Sequence, residues 1–329
     1  MPATPRRLVA ALAFAVGLAG CAAPERYVAS PSFAPDNSGL VLNLCEAGAG
    51  CKVATLAFAS GRLREFEPPS GETWFAPVYS PDGSRLAFSV ADEGRPYSQL
   101  AVMNADGGGY RVLTAGSALR SWPSFSPDGR RLIYARSTRF SRQRPYNPID
   151  SHIYEIDVAT GVERPLTAMG FSRPSRPFYL PDGRRFIFSA PPAFDAADDR
   201  RRYDQVYGAN TIFVMDDTDN RLVPAFTQGA ESARPGISRD GNRIVFLSST
   251  NQLDGKSGYI NYDVFLREAG INRRLTRLET FVSYLALSPD GSEILFIDDK
   301  GRNGIERLWL MRLDGSAPRE VRIADWTRP

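Results

Sequence analysis

Four arginines and three aromatic residues recur at related positions in this chain: Arg120, Arg173, Arg176 and Arg234, with Trp74, Trp122 and Tyr284. Each stands six to nine residues ahead of the aspartate of a repeated short turn. A guanidinium can hold a carboxylate or phosphate by two parallel N–H bonds, and an aromatic face can stack on a peptide or sugar. Such a set offers capture of an anionic peptide segment or glycan. The same arginines could instead pair with carboxylates such as Glu231 or Asp195 as ordinary rim ion pairs, and the sequence leaves both readings open.

Signs of catalysis are few. The chain has no G-x-S-x-G elbow, no H-E-x-x-H and no Walker loop. Its single histidine, His152, would have to carry any triad or histidine-based acid–base mechanism alone. The acidic groups Asp195/Asp198/Asp199, Asp216/Asp217/Asp219 and Asp298/Asp299 fall in turn-like segments. There a Ca²⁺ could sit, but none has EF-hand spacing, so no cofactor or metal is expected. An enzyme using Arg, Tyr and Asp, such as an eliminating lyase or a hydrolase, stays open as the alternative to a binding or scaffolding module.

The residues around these candidates supply a scaffold. The turn reads Ala34-Pro35-Asp36-Asn37, Ser80-Pro81-Asp82-Gly83, Ser126-Pro127-Asp128-Gly129, Leu180-Pro181-Asp182-Gly183, Ser238-Arg239-Asp240-Gly241 and Ser288-Pro289-Asp290-Gly291. Ser, Pro, Asp and Gly in that order suit the four corners of a type I turn. Apolar residues stand four and six positions after each Asp, as in Leu86/Phe88 and Ile294/Phe296, the period of a half-buried strand. A third strand follows in most repeats ("QLAVMNADG", "RLWLMRLDG"), then a fourth ending on an apolar-Thr pair such as Leu113-Thr114. Four strands in each of six units predict an all-β fold, a six-bladed β-propeller of four-stranded antiparallel blades. The expected blades are 27–70, 71–116, 117–169, 170–229, 230–279 and 280–323, with a tail at 324–329.

In this topology the Asp-Gly turns share one face. The irregular segments 137–150, 190–210 and 249–261 share the other. The first strand of each blade is expected to line the axis, through Ala29, Phe75, Ser121, Ser175, Ala233 and Ser283, with the Arg and aromatic set at the mouth beside them.

The phrase P-x-[aromatic]-S-P-D-G-x-x-[apolar]-x-[aromatic], followed by an IYxxD-like strand and Leu-Thr, resembles the WD-like repeat of the TolB propeller family. The resemblance covers about residues 27–323 and implies the propeller fold. It does not extend to the α/β domain that precedes the propeller in TolB itself, so a part in the Tol–Pal envelope machinery is not carried over. Propellers of the prolyl-oligopeptidase type also resemble this repeat.

The first residues carry an address. Arg6-Arg7 precedes the apolar run "LVAALAFAVGLAG" (8–20), too short for a typical membrane span. It ends in Leu18-Ala19-Gly20-Cys21, which resembles a bacterial lipobox. That resemblance implies a signal peptide over 1–20, lipidation of Cys21, a tether over 21–26 and an outer-membrane lipoprotein facing the periplasm. The tether would leave from the funnel face, holding it near the membrane. Of 40 Lys and Arg, loss of Arg6 and Arg7 leaves 38 against 37 acidic residues, so no nucleic-acid partner is indicated. An envelope protein or peptide is the expected partner. Cys45 and Cys51 flank "EAGAG", and export makes a disulfide between them the expectation.

Overall fold

The computed structural model describes residues 26–46, 48–92, 95–140, 148, 150–168, 170–171, 174–190, 210–216, 222–226, 232–249, 261–278, 281–298 and 307–324. Residues 1–25, with Cys21 among them, and Arg173, Asp195, Glu231 and most of segments 137–150, 190–210 and 249–261 lie outside these.

The repeated turns have the expected chemistry. The Gly N–H closes the turn onto the first-corner carbonyl at 2.9 Å in Ser80–Gly83 and 2.8 Å in Ser126–Gly129. The buried Ser hydroxyl then donates to the turn carboxylate, at 2.5 Å for Ser80–Asp82, Ser126–Asp128 and Ser238–Asp240 and at 2.6 Å for Ser288–Asp290. The same carboxylate accepts a backbone N–H two residues on, as Asp82 does from Ser84 and Asp128 from Arg130. This is an Asx-turn laid over a β-turn. Asn37 takes φ 61° and Gly83 φ 74°, the left-handed position that ends each turn.

Six four-stranded antiparallel sheets follow, each built from four consecutive strands. Blade one holds β1 (Arg26–Phe33), β2 (Gly39–Glu46), β3 (Gly50–Ala57) and β4 (Leu63–Phe66). Blade two holds β5 (Glu72–Tyr79), β6 (Arg85–Asp92), β7 (Ser98–Asn104) and β8 (Arg111–Val112). Blade three holds β9 (Leu119–Phe125), β10 (Arg131–Ser137), β11 (Ser151–Asp157) and β12 (Glu163–Pro165). Blade four holds β13 (Phe178–Tyr179), β14 (Arg185–Ala190), β15 (Thr211–Asp216) and β16 (Leu222–Phe226). Blade five holds β17 (Ser232–Ile237), β18 (Arg243–Ser249), β19 (Tyr262–Glu268) and β20 (Ile271–Arg274). Blade six holds β21 (Val282–Leu287), β22 (Glu293–Asp298), β23 (Arg307–Arg312) and β24 (Arg319–Glu320). The fold is an all-β six-bladed propeller, without helices among the described residues.

The second strand is the most buried of each blade. Leu40, Leu42 and Leu44 of β2, and Phe186, Ile187 and Phe188 of β14, are almost wholly excluded from water. Their side chains alternate between the two blades on either side, so the core is a set of apolar layers between blades. At about 25 cal/mol per Å², such layers supply most of the favourable free energy.

Polar clamps join the blades at fixed points. Arg85 donates to the Gly129 carbonyl at 2.8 Å, and Arg131 to that of Gly183 at 3.0 Å, each tying one turn to the next. Buried Glu155 accepts from Arg131 and Arg164, each at 2.8 Å, and from the Tyr179 hydroxyl. The ring closes between blades one and six. Val28, Leu42, Leu44 and Leu56 share a core cluster with Leu295, Ile297, Leu308, Leu310 and Val321. Beyond β24, the Ala324 N–H meets the Gly61 carbonyl at 2.7 Å. Cys45 and Cys51 stand opposite each other at the end of the β2–β3 hairpin, joined by a disulfide.

Candidate axial binding site

First strands of neighbouring blades touch at five of the six joints, and β17 meets blade four through β14 and β15, so they wall the axis. Five of them carry an irregularity in pairing with the second strand, between Ala29 and Ser32, Phe75 and Val78, Ser121 and Ser124, Ala233 and Gly236, and Val282 and Tyr284. A β-bulge adds one residue to one strand and re-aims the side chains around it. In blades one, two, three and five the interrupted stretch includes the residue six before the turn aspartate, and in blade six it is Ser283, seven before. Four residues in the column six before the aspartate have positive φ without being glycine: Ser30 (48°), Ala76 (55°), Trp122 (60°) and Arg234 (51°). Non-glycine residues in this region carry strain of about 1–3 kcal/mol each and persist where surroundings hold them.

Neighbouring blades provide that hold. Buried Asn43 of blade one donates to the Trp74 carbonyl at 2.8 Å and accepts the Ala76 N–H at 2.8 Å. The Ser189 hydroxyl of blade four accepts the Arg234 N–H at 3.0 Å. Backbone groups freed by the bulge are thus satisfied by the preceding blade.

The column's side chains are Ser30, Ala76, Trp122, Arg176, Arg234 and Tyr284. Three of them meet across the axis. The Arg176 guanidinium lies 5.4 Å from the Trp122 ring of blade three and 5.6 Å from the Tyr284 ring of blade six, and 5.9 Å from Phe178 of its own blade. Trp122 in turn packs against the core cluster of blades one and six. Arg176 is 7% exposed and Tyr284 8%, while Trp122 and Arg234 are half-buried. Burial lowers the Arg176 pKa against the opposing pull of Tyr284. Burial likewise raises that of the Tyr284 phenol, opposed by the charges of Arg176 and Arg234. The Nε and Nη2 of Arg176 are buried and have no hydrogen-bond partner.

The other predicted residues lie elsewhere. Trp74 is buried between blades one and two, 4.6 Å from Phe88 and 5.1 Å from Tyr110, with its indole N–H on Glu72 at 3.0 Å. Arg120 is 2% exposed and clamps its surroundings. Its Nε and Nη2 hold both carboxylate oxygens of Glu163 at 2.8 and 3.0 Å, and Nη1 reaches Gln99 at 2.9 Å. These two stand eight before the turn aspartate, and both face the layers between blades. Arg173 falls outside the described residues. Phe178 and Glu163 were not singled out by sequence reasoning, since nothing in the repeat separates them from ordinary strand residues.

Arg239 is the most telling omission. It stands where the other turns have Pro. Its Nη2 crosses the turn face to the carbonyl of Pro35 in blade one at 3.1 Å and approaches that of Pro81 in blade two at 3.5 Å. Blades two and five are opposite each other, so this side chain bars the axis on the turn face.

His152 gives no catalytic arrangement. Its Nε2 lies 3.3 Å from Asp150 and its Nδ1 3.3 Å from the Thr167 carbonyl, so neither nitrogen faces a nucleophile. Of the acidic groups, Asp216 pairs with Arg184 at 3.1 Å and Asp298 accepts the Trp309 indole N–H at 2.9 Å. No cluster of three metal-binding side chains occurs among the described residues.

Known proteins share this architecture. The "Tol-Pal system protein TolB" of Sphingopyxis alaskensis is 40% identical over 53 residues, which is 16% of this chain and 12% of that protein. The crystal structure of TolB from Acinetobacter baumannii superposes with a TM-score of 0.62 at 20% identity, covering 89% of this chain and 62% of that one. An oligogalacturonate lyase in complex with manganese superposes with a TM-score of 0.60 at 16% identity, covering 92% of this chain and 78% of that one. At these identities the superpositions speak for the fold alone. The family described as the TolB beta propeller domain matches residues 22–190, half of the chain, and this chain belongs to that family.

Proposed function

We propose that this propeller is a binding module of the bacterial cell envelope, with a protein or peptide segment as its ligand. The observation that carries the reading is the axial group of Trp122, Arg176, Arg234 and Tyr284. Strained backbone and inter-blade hydrogen bonds hold a cationic and aromatic surface where a propeller places its recognition site. The location rests on the leader with its lipobox-like Leu18-Ala19-Gly20-Cys21 and on likeness to a protein named for the Tol-Pal system. In this reading Cys21 is lipidated and the protein is an outer-membrane lipoprotein facing the periplasm.

Crosslinking in the native membrane, with mass spectrometry of what stays attached, tests this directly. A reproducible envelope protein joined through the loop face is the expected result. If no partner is recovered while a control lipoprotein complex is, the binding-module reading fails in favour of an enzyme acting on a small ligand.

A further inference from the structure

We propose that Arg176 is the floor of a carboxylate receptor on the propeller axis, and that its ligand is the C-terminal carboxylate of a peptide entering end-on. This rests on reading the propeller as a binding module and names what that module grips.

The argument starts from one edge of one side chain. A guanidinium takes a carboxylate bidentately along the edge formed by Nε and one Nη. This chain shows the satisfied form at Arg120, whose Nε and Nη2 each hold one oxygen of Glu163. In Arg176 the same two atoms are buried and have no partner. Leaving a buried guanidinium without an anion is costly, and a carboxylate arriving at that edge recovers the cost. The surroundings fit such a guest. Tyr284 adds a phenol beside the guanidinium and Arg234 a second positive charge in range of that phenol. Trp122 offers a half-buried ring against which the last peptide unit can lie.

The turn face decides the mode of approach. Arg239 lies across it, bonded to the Pro35 carbonyl. A chain entering from the loop face therefore ends or turns back at Arg176, and a chain end brings its carboxylate there first. A C-terminus supplies a carboxylate at its tip, with a flat peptide group behind it to meet Trp122.

Thermal unfolding of the purified chain tests this, in sodium chloride and in sodium acetate at equal ionic strength. The peptides acetyl-Gly-Gly-Ala with a free C-terminus and its C-terminal amide serve as further probes. The wild type is expected to melt higher in acetate. The free-acid peptide should give the same shift at tenfold or more lower concentration, reaching about 4 °C at a hundredfold excess over Kd. The amide should give none. Arg176→Met is expected to melt higher than wild type in chloride, because it removes an unpaired buried charge, and to ignore both acetate and peptide. Arg176→Lys keeps the charge, loses the bidentate edge and should lose most of the peptide shift.

Equal melting of the wild type in chloride and acetate, with Arg176→Met the less stable protein, would show Arg176 to be a packing residue and overturn the proposal. Should acetate act and the free-acid peptide do no better, a small carboxylate is the ligand and the end-on peptide assignment is overturned. A null result here leaves any membrane crosslinks standing, and a failed crosslinking experiment leaves a carboxylate shift standing, so the two readings fail separately.

Discussion

The turn aspartates show how one hydrogen bond becomes a property of the protein. The Ser80 hydroxyl, with the backbone and hydroxyl of Ser84, lowers the Asp82 pKa from 3.8 to about 2. Ser126 and Ser238 lead the lowering of Asp128 and Asp240 in the same way, and Ser38 that of Asp36. At Asp182 and Asp290 burial opposes the charge, and the hydrogen bonds outweigh it. A carboxyl whose folded pKa lies below its unfolded value contributes stability above the unfolded pKa and loses it as pH falls through the folded one. The six turns should therefore weaken together between about pH 4 and pH 2, seen as a fall in Tm across that window. Ser126→Ala should cost about 1 kcal/mol at neutral pH and make the fall shallower, as denaturant melts at pH 7 and pH 3 will show. Steeper acid sensitivity in that variant would contradict the account.

At the scale of the strand, the bulge decides what the protein can hold. The repeat itself was legible because local chemistry writes it: a Pro-Asp-Gly turn and a period of two leave the same residues at the same offsets in every blade. Which side chains face the axis was not legible. Sequence alternation places Ala29, Phe75 and Ser121 there. An added residue in the first strand of blade three instead turns Trp122 to meet Arg176, which also meets Tyr284 across the axis, and a one-residue shift swaps the faces of a strand. Trp74 and Arg120, two positions earlier, fall between blades for the same reason. Arg120 is thus a structural clamp, and removing either partner should expose that. Glu163→Gln leaves a buried guanidinium half-served and should cost about 2–3 kcal/mol, a value at the low end because Glu163 is partly exposed. Arg120→Met combined with Glu163→Gln should recover part of that loss in a double-mutant cycle followed by urea unfolding. Strictly additive losses would mean that the pair does not act as a unit.

Over the whole ring, each blade is assembled from consecutive strands, and its apolar layers are shared with the blades on either side. One such layer closes blade one on blade six through Leu42, Leu44, Leu308, Leu310 and Val321. Leu310→Ala removes a fully buried side chain from that layer and should cost about 2–5 kcal/mol. Hydrogen exchange should then quicken first in β1, β2, β22 and β23, while blades three and four keep their protection. Uniform loss of protection around the ring would show that the closure is not a separate unit. The sequence announced six blades but not how the ring is sealed, because the seal uses the same Leu and Ile columns that fill every other inter-blade layer.

That seal has a mechanical meaning. Blade one and blade six share no sheet, so the ring has a seam where side-chain packing and the Ala324–Gly61 hydrogen bond do the work that strand pairing does inside a blade. A force drawn through the chain near residue 26 acts directly on the innermost strand beside that seam. Under tension the molecule should part there first and unroll from blade one, like a clasp rather than a chain link, leaving the middle blades and the axial arginine for last.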